Sequence, residues 1–139
     1  MENKSKMELI RDFIASCYLF KDGKINVDYL KDDVYSYSVD RSPVEPQVKK
    51  FIDGNGGKYQ INFDLAIQLP FSASAKNNLI NSKFCEDYEK WIYEQNKKKN
   101  FPKIPGAFSI RCTAPGAILQ KTDTTAIYVI QNNFTYYEF

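Results

Sequence analysis

Few side chains in this sequence could carry out a reaction. The strongest nucleophiles are Cys17, Cys85 and Cys112, and the 139 residues contain no histidine to activate them. The same absence removes the commonest general base, the commonest zinc ligand and the usual pH switch. Three cysteines without a C-x-x-C spacing point to neither a disulfide framework nor a redox pair. Each lies within a run that reads as regular structure, as expected of small buried thiols in a reducing compartment. Asp32-Asp33 and Glu86-Asp87 are the adjacent acids that acid–base chemistry would draw on. The first pair falls in an expected turn and the second on the polar side of an expected helix, where solvation is the ordinary role. Gly54-Asn55-Gly56-Gly57 lacks the Lys-Ser/Thr and the helix that follow a phosphate loop. Lys97-Lys98-Lys99 could meet phosphates, but Tyr93 and Phe101 beside it make no stacking platform, so it reads as a solvated helix end. No catalytic residue, metal ligand or cofactor is assigned.

Composition agrees with a protein of surfaces and packing. Apolar residues make up 43% and charged residues 26%, the balance of a globular chain with enough apolar material for one core. Nineteen basic and seventeen acidic residues leave a net charge of +2, too little to argue for specific nucleic-acid binding. No run approaches the ~20 apolar residues of a membrane span. The N-terminus leads into an amphipathic pattern and not a signal-peptide core, so synthesis and folding in the cytosol are expected.

The elements follow from periodicity. Ser5 and Glu8 have capping-box spacing, and Leu9, Ile10, Phe13, Ile14 and Cys17 then recur at helical spacing. After Asp22-Gly23, residues 24–30 alternate as a strand, with Ile25, Val27 and Tyr29 on one side. Val34 to Val39 reads as a second short strand, Ser42 to Pro46 as a breaker, and Gln47 to Ile52 as strand again. Asp53 to Gly57 is a strong turn signal. The clearest pattern follows: Tyr59, Ile61, Phe63, Leu65, Ile67 and Leu69 alternate with mostly polar residues over twelve positions, about 40 Å of strand. Its single apolar face calls for helices on one side of the sheet only. From Asn77 to Lys98 the period is helical, with Ile80, Phe84, Tyr88, Trp91, Ile92 and Gln95 on one stripe. Trp91 is expected to face the long strand as core. Phe108, Ile110 and Cys112 then alternate, Pro115-Gly116 reads as a turn, and Ala126 to Tyr137 is rich in β-formers. The whole reads as one α+β domain over residues 1–139, with two helices on one face of a mixed, largely antiparallel sheet.

The C-terminal segment is poor in charge: between Ile104 and Phe139 only Arg111, Lys121, Asp123 and Glu138 are ionisable to full charge. Both parities of Ala126 to Ile130 are apolar, so Ile127 and Val129 are expected to be covered on the second face, by loops or by another subunit. The stretch from Pro115 to Thr125 is expected to be a connecting loop of about ten residues, longer than an ordinary hairpin turn. It carries Ala117, Ile118 and Leu119 in a row, and Pro115, Gly116, Ala117, Ile118 and Leu119 are therefore candidate interface residues alongside Ile127 and Val129. The candidate core is Tyr59, Ile61, Phe63, Leu65, Phe84, Tyr88, Trp91 and Ile92.

Several segments also resemble a family of small proteins from phages and prophages of Gram-positive bacteria, often labelled minor capsid protein and similar to tail terminators. These segments are Lys50 to Gly54, Gln60 to Phe63, Asn78 to Tyr88 with Trp91 to Asn96, and Ala114 to Gly116 with Asp123 to Ala126 and Tyr128 to Gln131. They span residues 24–138 in the family's order. Where the family usually has an Arg and a Ser after the long strand, this chain reads Ile67-Gln68-Leu69-Pro70. The resemblance implies a non-enzymatic virion-assembly protein of a phage, prophage or headless phage-tail-like particle (a tailocin). It implies a homo-hexameric ring at the neck end of the tail that ends tube polymerisation. The implied partners are other copies of itself, the tail tube protein, and a head-tail connector or collar protein. Another neck component and a small-ligand-binding domain, with a pocket between Trp91 and the sheet, are the rival readings.

Overall fold

Ser5 opens the first helix, α1 (Lys6–Ala15), in extended backbone, and its hydroxyl accepts the Glu8 N–H at 3.1 Å. That bond satisfies one of the helix's orphan donors. α1 buries Met7, Ile10, Phe13 and Ile14. A single tight turn at Tyr18–Phe20 follows and carries Phe20 into the core, 4.7 Å from the Tyr37 ring and 5.8 Å from Phe84. The second helix, α2 (Ala75–Lys98), starts two residues before the periodicity suggests. It ends where Lys99 turns left-handed (φ 58°) and the Asn100 N–H returns to the Gln95 carbonyl. The computed structural model describes residues 4–20, 25–30, 35–43, 47–50, 56–72 and 74–138.

Six strands form one sheet: β1 (Ile25–Val27), β2 (Ser36–Ser42), β3 (Gln47–Lys50), β4 (Gly57–Pro70), β5 (Ala107–Lys121) and β6 (Thr125–Glu138). Their order is β1-β2-β4-β6-β5, with β3 pairing the start of β4. β1 runs parallel to β2 and every other pairing is antiparallel, so the domain is α+β with a mixed sheet and two helices. β2 and β3 lie in line along one side of β4, with Ser42 opposite Asn62 and Gln47 opposite Tyr59. Residues 44–46 lie outside the described residues, as do positions 53–55 of the expected Asp53 to Gly57 turn and the pairs Asp22-Gly23 and Asp32-Asp33.

Opposed residues of an antiparallel pair share a face, so the register sorts the side chains. Ile61 with Phe134, Phe63 with Asn132, Leu65 with Ile130, Ile67 with Tyr128 and Leu69 with Ala126 face the helices. Tyr37, Val39 and Ile25 extend that face to the far edge, and nearly all of these side chains are buried. Each fully buried aliphatic contributes about 1.5–3 kcal/mol relative to exposure. Of the candidate core residues, Ile61, Phe63, Leu65, Tyr88 and Ile92 are buried. Tyr59, Phe84 and Trp91 are only partly buried at its margin.

Four local expectations are corrected. Trp91 is only partly buried and its ring lies 5.2 Å from Phe13 of α1, while the buried positions of α2 are Asn81, Cys85, Tyr88, Ile92 and Gln95. Ile80, counted on the apolar stripe, is 59% exposed. β1 stops at Val27 because Asp28 adopts φ 55°, which leaves Tyr29 exposed instead of in register with Ile25. Phe108 does not share the inward side of Ile110, because a register shift between Ala107 and Ser109 turns it out against Tyr137 and Lys58.

Candidate functional site

The thiols sit in surroundings that suppress reactivity. Burial pushes Cys17 up to about 11 and Cys85 and Cys112 up to about 12, and the Glu89 carboxylate adds to the rise at the last two. A thiol held protonated is a poor nucleophile and a poor metal ligand. Among the described residues, no three His, Cys, Asp or Glu side chains converge to hold a metal ion. No helix among them is long and apolar enough to cross a membrane.

The candidate interface residues fall on the β5–β6 hairpin. The expected loop from Pro115 to Thr125 is absent: β5 continues as strand to Lys121, and the chain reverses only over Thr122 to Thr124, where the Thr122 hydroxyl accepts the Thr125 N–H at 3.0 Å. The stretch looks loop-like in sequence because β5 is the sheet's edge strand and its register shifts three times beyond Cys112. Pro115 falls in the register break between Ala114 and Ala117, where a missing N–H removes no paired rung, and bulges are the usual way of blunting such an edge. Gly116 is likewise not a turn residue. It lies where α2 crosses β5, and a Cβ there would stand 2.8 Å from both Cβ and Sγ of Cys85 and 3.2 Å from Ile130. The helix seats on β5 only because this position has no side chain. Past the crossing, Ile118 and Leu119 are 45% and 71% exposed, and Ala117 is exposed on the opposite side.

Ile127 and Val129 are opposite Gln68 and Ala66 on the face of the sheet that points away from both helices. They are half-buried, while Ala126, Tyr128 and Ile130 between them face the helices and are buried. The doubly apolar run is therefore a central strand whose second face has no helix over it. The rest of that face is a flat polar ladder. The Asn133 amide donates to Gln60 Oε1 at 3.1 Å and Asn62 Oδ1 at 2.6 Å, and the Ser109 and Thr135 hydroxyls bond each other. Sequence reading missed this ladder, although the uninterrupted polar parity of Gln60, Asn62 and Asp64 was its visible trace.

One cavity, of about 440 Å³, lies between α1 and the segment after α2, lined by Leu9, Phe13, Phe101 and Pro102 with Lys4, Asp12 and Lys103 at its rim. Phe13 and Tyr88 pack against Trp91, with ring centroids 5.2 and 6.4 Å away.

No family model matches the sequence, and no curated protein matches it. One solved structure, of a protein whose designation carries no function, aligns over 95% of this chain and 89% of its own at 10% identity with a TM-score of 0.42, which supports no functional argument.

Proposed function

We propose that this chain is a structural assembly protein, a tail terminator that associates with copies of itself into a ring closing the tube of a phage or phage-tail-like particle. The observation that carries self-association is the open β5 edge. β5 has a strand partner on one side only; α2 takes up its Ile110 N–H through Asn96 and its Gly116 N–H through Glu89, and beyond that crossing Ile118 and Leu119 are exposed, with the half-buried Ile127 and Val129 on the face turned away from the helices. Such edges are templates for another chain. The segment-by-segment resemblance to tail terminators of Gram-positive phages supplies the tail as the setting, with the tube protein and a connector or collar protein as partners. The buried, protonated thiols and the missing histidine agree with a role that involves no chemistry.

Sedimentation of the purified chain, alone and with tube protein, tests this reading. A hexamer, or tubes of arrested length, is the expected result. Changing Ile118 and Leu119 together to Ser should leave a folded monomer that no longer associates. A wild-type chain that stays monomeric at every concentration, and that leaves tube growth unaltered, would sink the reading.

The cavity under α1 favours a second reading, a small-ligand-binding domain, because its apolar walls carry charged groups at the mouth. A monomer whose unfolding midpoint rises with a bound small molecule would support it.

A further inference from the structure

Asp40 on β2 and Asp64 on β4 are directly opposed across an antiparallel pair. Both lie half-buried on the face turned away from the helices, since their neighbours Val39, Phe63 and Leu65 point into the core. Opposed side chains stand about 4.5–5.5 Å apart at Cβ, and like charges so placed repel. The surroundings give little relief. The Ser38 hydroxyl donates to Asp40 Oδ1, the residue opposite Asp64 on β6 is the neutral Gln131, and among the described residues neither carboxylate has an ion-pair partner. On one side the next rung runs from Ser38 through Ala66 and Val129 to Ala117, and on the other from Ser42 through Asn62 to Asn133.

The other margin of the same face has the opposite charge. Arg111 on β5 is opposite Asn133, whose amide belongs to the polar ladder, so its side chain projects from the side turned away from the helices. It is exposed and forms no ion pair among the described residues. From Lys103 to Thr122 the chain has no acid at all. Among the described residues, then, one face of the sheet has two carboxylates without an ion-pair partner on β2 and β4 and a guanidinium without one on the β5 edge.

We propose that these two margins meet between copies of this chain: the β5 edge of one copy seats against the β2–β4 side of the next, with Arg111 entering between Asp40 and Asp64. A planar guanidinium with five donors can bridge two opposed carboxylates, which an ammonium does less well. Both acids are already half-buried in the monomer, so a guanidinium reaching them is screened less than in an ordinary surface pair. Repeated in one sense from copy to copy, the contact is head-to-tail and closes a ring; made reciprocally it would close a two-fold dimer, and the sedimenting species tells the two apart.

The inference rests on the self-association reading, and charge exchange separates the two. Arg111→Glu alone, and Asp40→Lys with Asp64→Lys, should each weaken association at least tenfold in sedimentation, while the three changes combined restore it. Asp40→Asn with Asp64→Asn should raise the melting temperature of the monomer by relieving repulsion, yet still weaken association, a pairing that a purely structural role would not produce. If the wild type assembles and the Arg111→Glu variant assembles equally well, this contact is refuted and the ring survives. If the wild type never assembles, the ring reading falls and takes the contact with it.

Discussion

The phenolic hydroxyl of Tyr88 on α2 donates a 3.0 Å hydrogen bond to Oδ1 of Asn132 on β6, in the middle of an otherwise apolar core. The Asn132 amide donates to the Ile130 carbonyl at 2.8 Å and the Phe63 carbonyl at 3.4 Å, and the Cys112 thiol reaches the same Oδ1 at 3.4 Å. Both donors and the acceptor of a fully enclosed amide therefore have partners, and the network fixes how α2 lies on the sheet. A buried polar group left without such partners would cost several times what each bond returns.

Tyr88→Phe leaves Oδ1 with only the weak thiol donor. It should lower stability by about 1–2 kcal/mol in urea unfolding. Combining it with Asn132→Leu removes both polar partners and should recover part of that loss. If the single variant unfolds like the wild type, the hydrogen bond contributes nothing net.

Gly116→Ala places a methyl where Cys85 already sits, at 2.8 Å from its Cβ and Sγ. Overpacking of this kind should cost about 1–3 kcal/mol, because either α2 or the edge strand must move. Cys85→Ala should offset part of the cost by removing the sulfur. Additive effects of the two changes would show that the crossing is looser than its geometry.

Trp91→Ala should cost about 2 kcal/mol, less than a full core truncation, because Trp91 is only partly buried and packs on Phe13 at 5.2 Å. Phe13→Ala, which empties a buried position, should cost more. The reverse order in thermal unfolding would mean that Trp91 carries the helix–helix contact by itself.

The thiols predict a specific pH dependence. Burial raises Cys17 to about 11 and Cys85 and Cys112 to about 12, from an ordinary value of 9.0. Above about pH 9 the unfolded chain releases thiol protons that the folded chain retains, so their contribution is complete below pH 9 and declines as pH rises towards 11–12. Urea midpoints should fall less steeply from pH 9 to 10.5 when all three cysteines are Ala. Parallel slopes would show that the thiols already ionise freely in the fold.

Local periodicity was enough to place the large elements. Ser5 as a cap, the alternation from Lys58 to Leu69, the helical period up to Lys98 and the β-rich run after Ala126 each specify their own geometry through neighbours in sequence. The α+β class and the one-sided placement of the helices follow from those patterns. What periodicity could not show was which strand lies at an edge. Residues 115–121 look like a loop because their alternation fails, and it fails because an edge strand with one partner can bulge without losing two ladders. Gly116 reads as a turn residue until Cys85 is set over it by α2, and the bond from Tyr88 to Asn132 joins residues 44 positions apart. The opposition of Asp40 and Asp64 is equally hidden, since register joins residues 24 positions apart. The core was legible from one strand at a time, whereas the candidate contact surface exists only where separate strands meet.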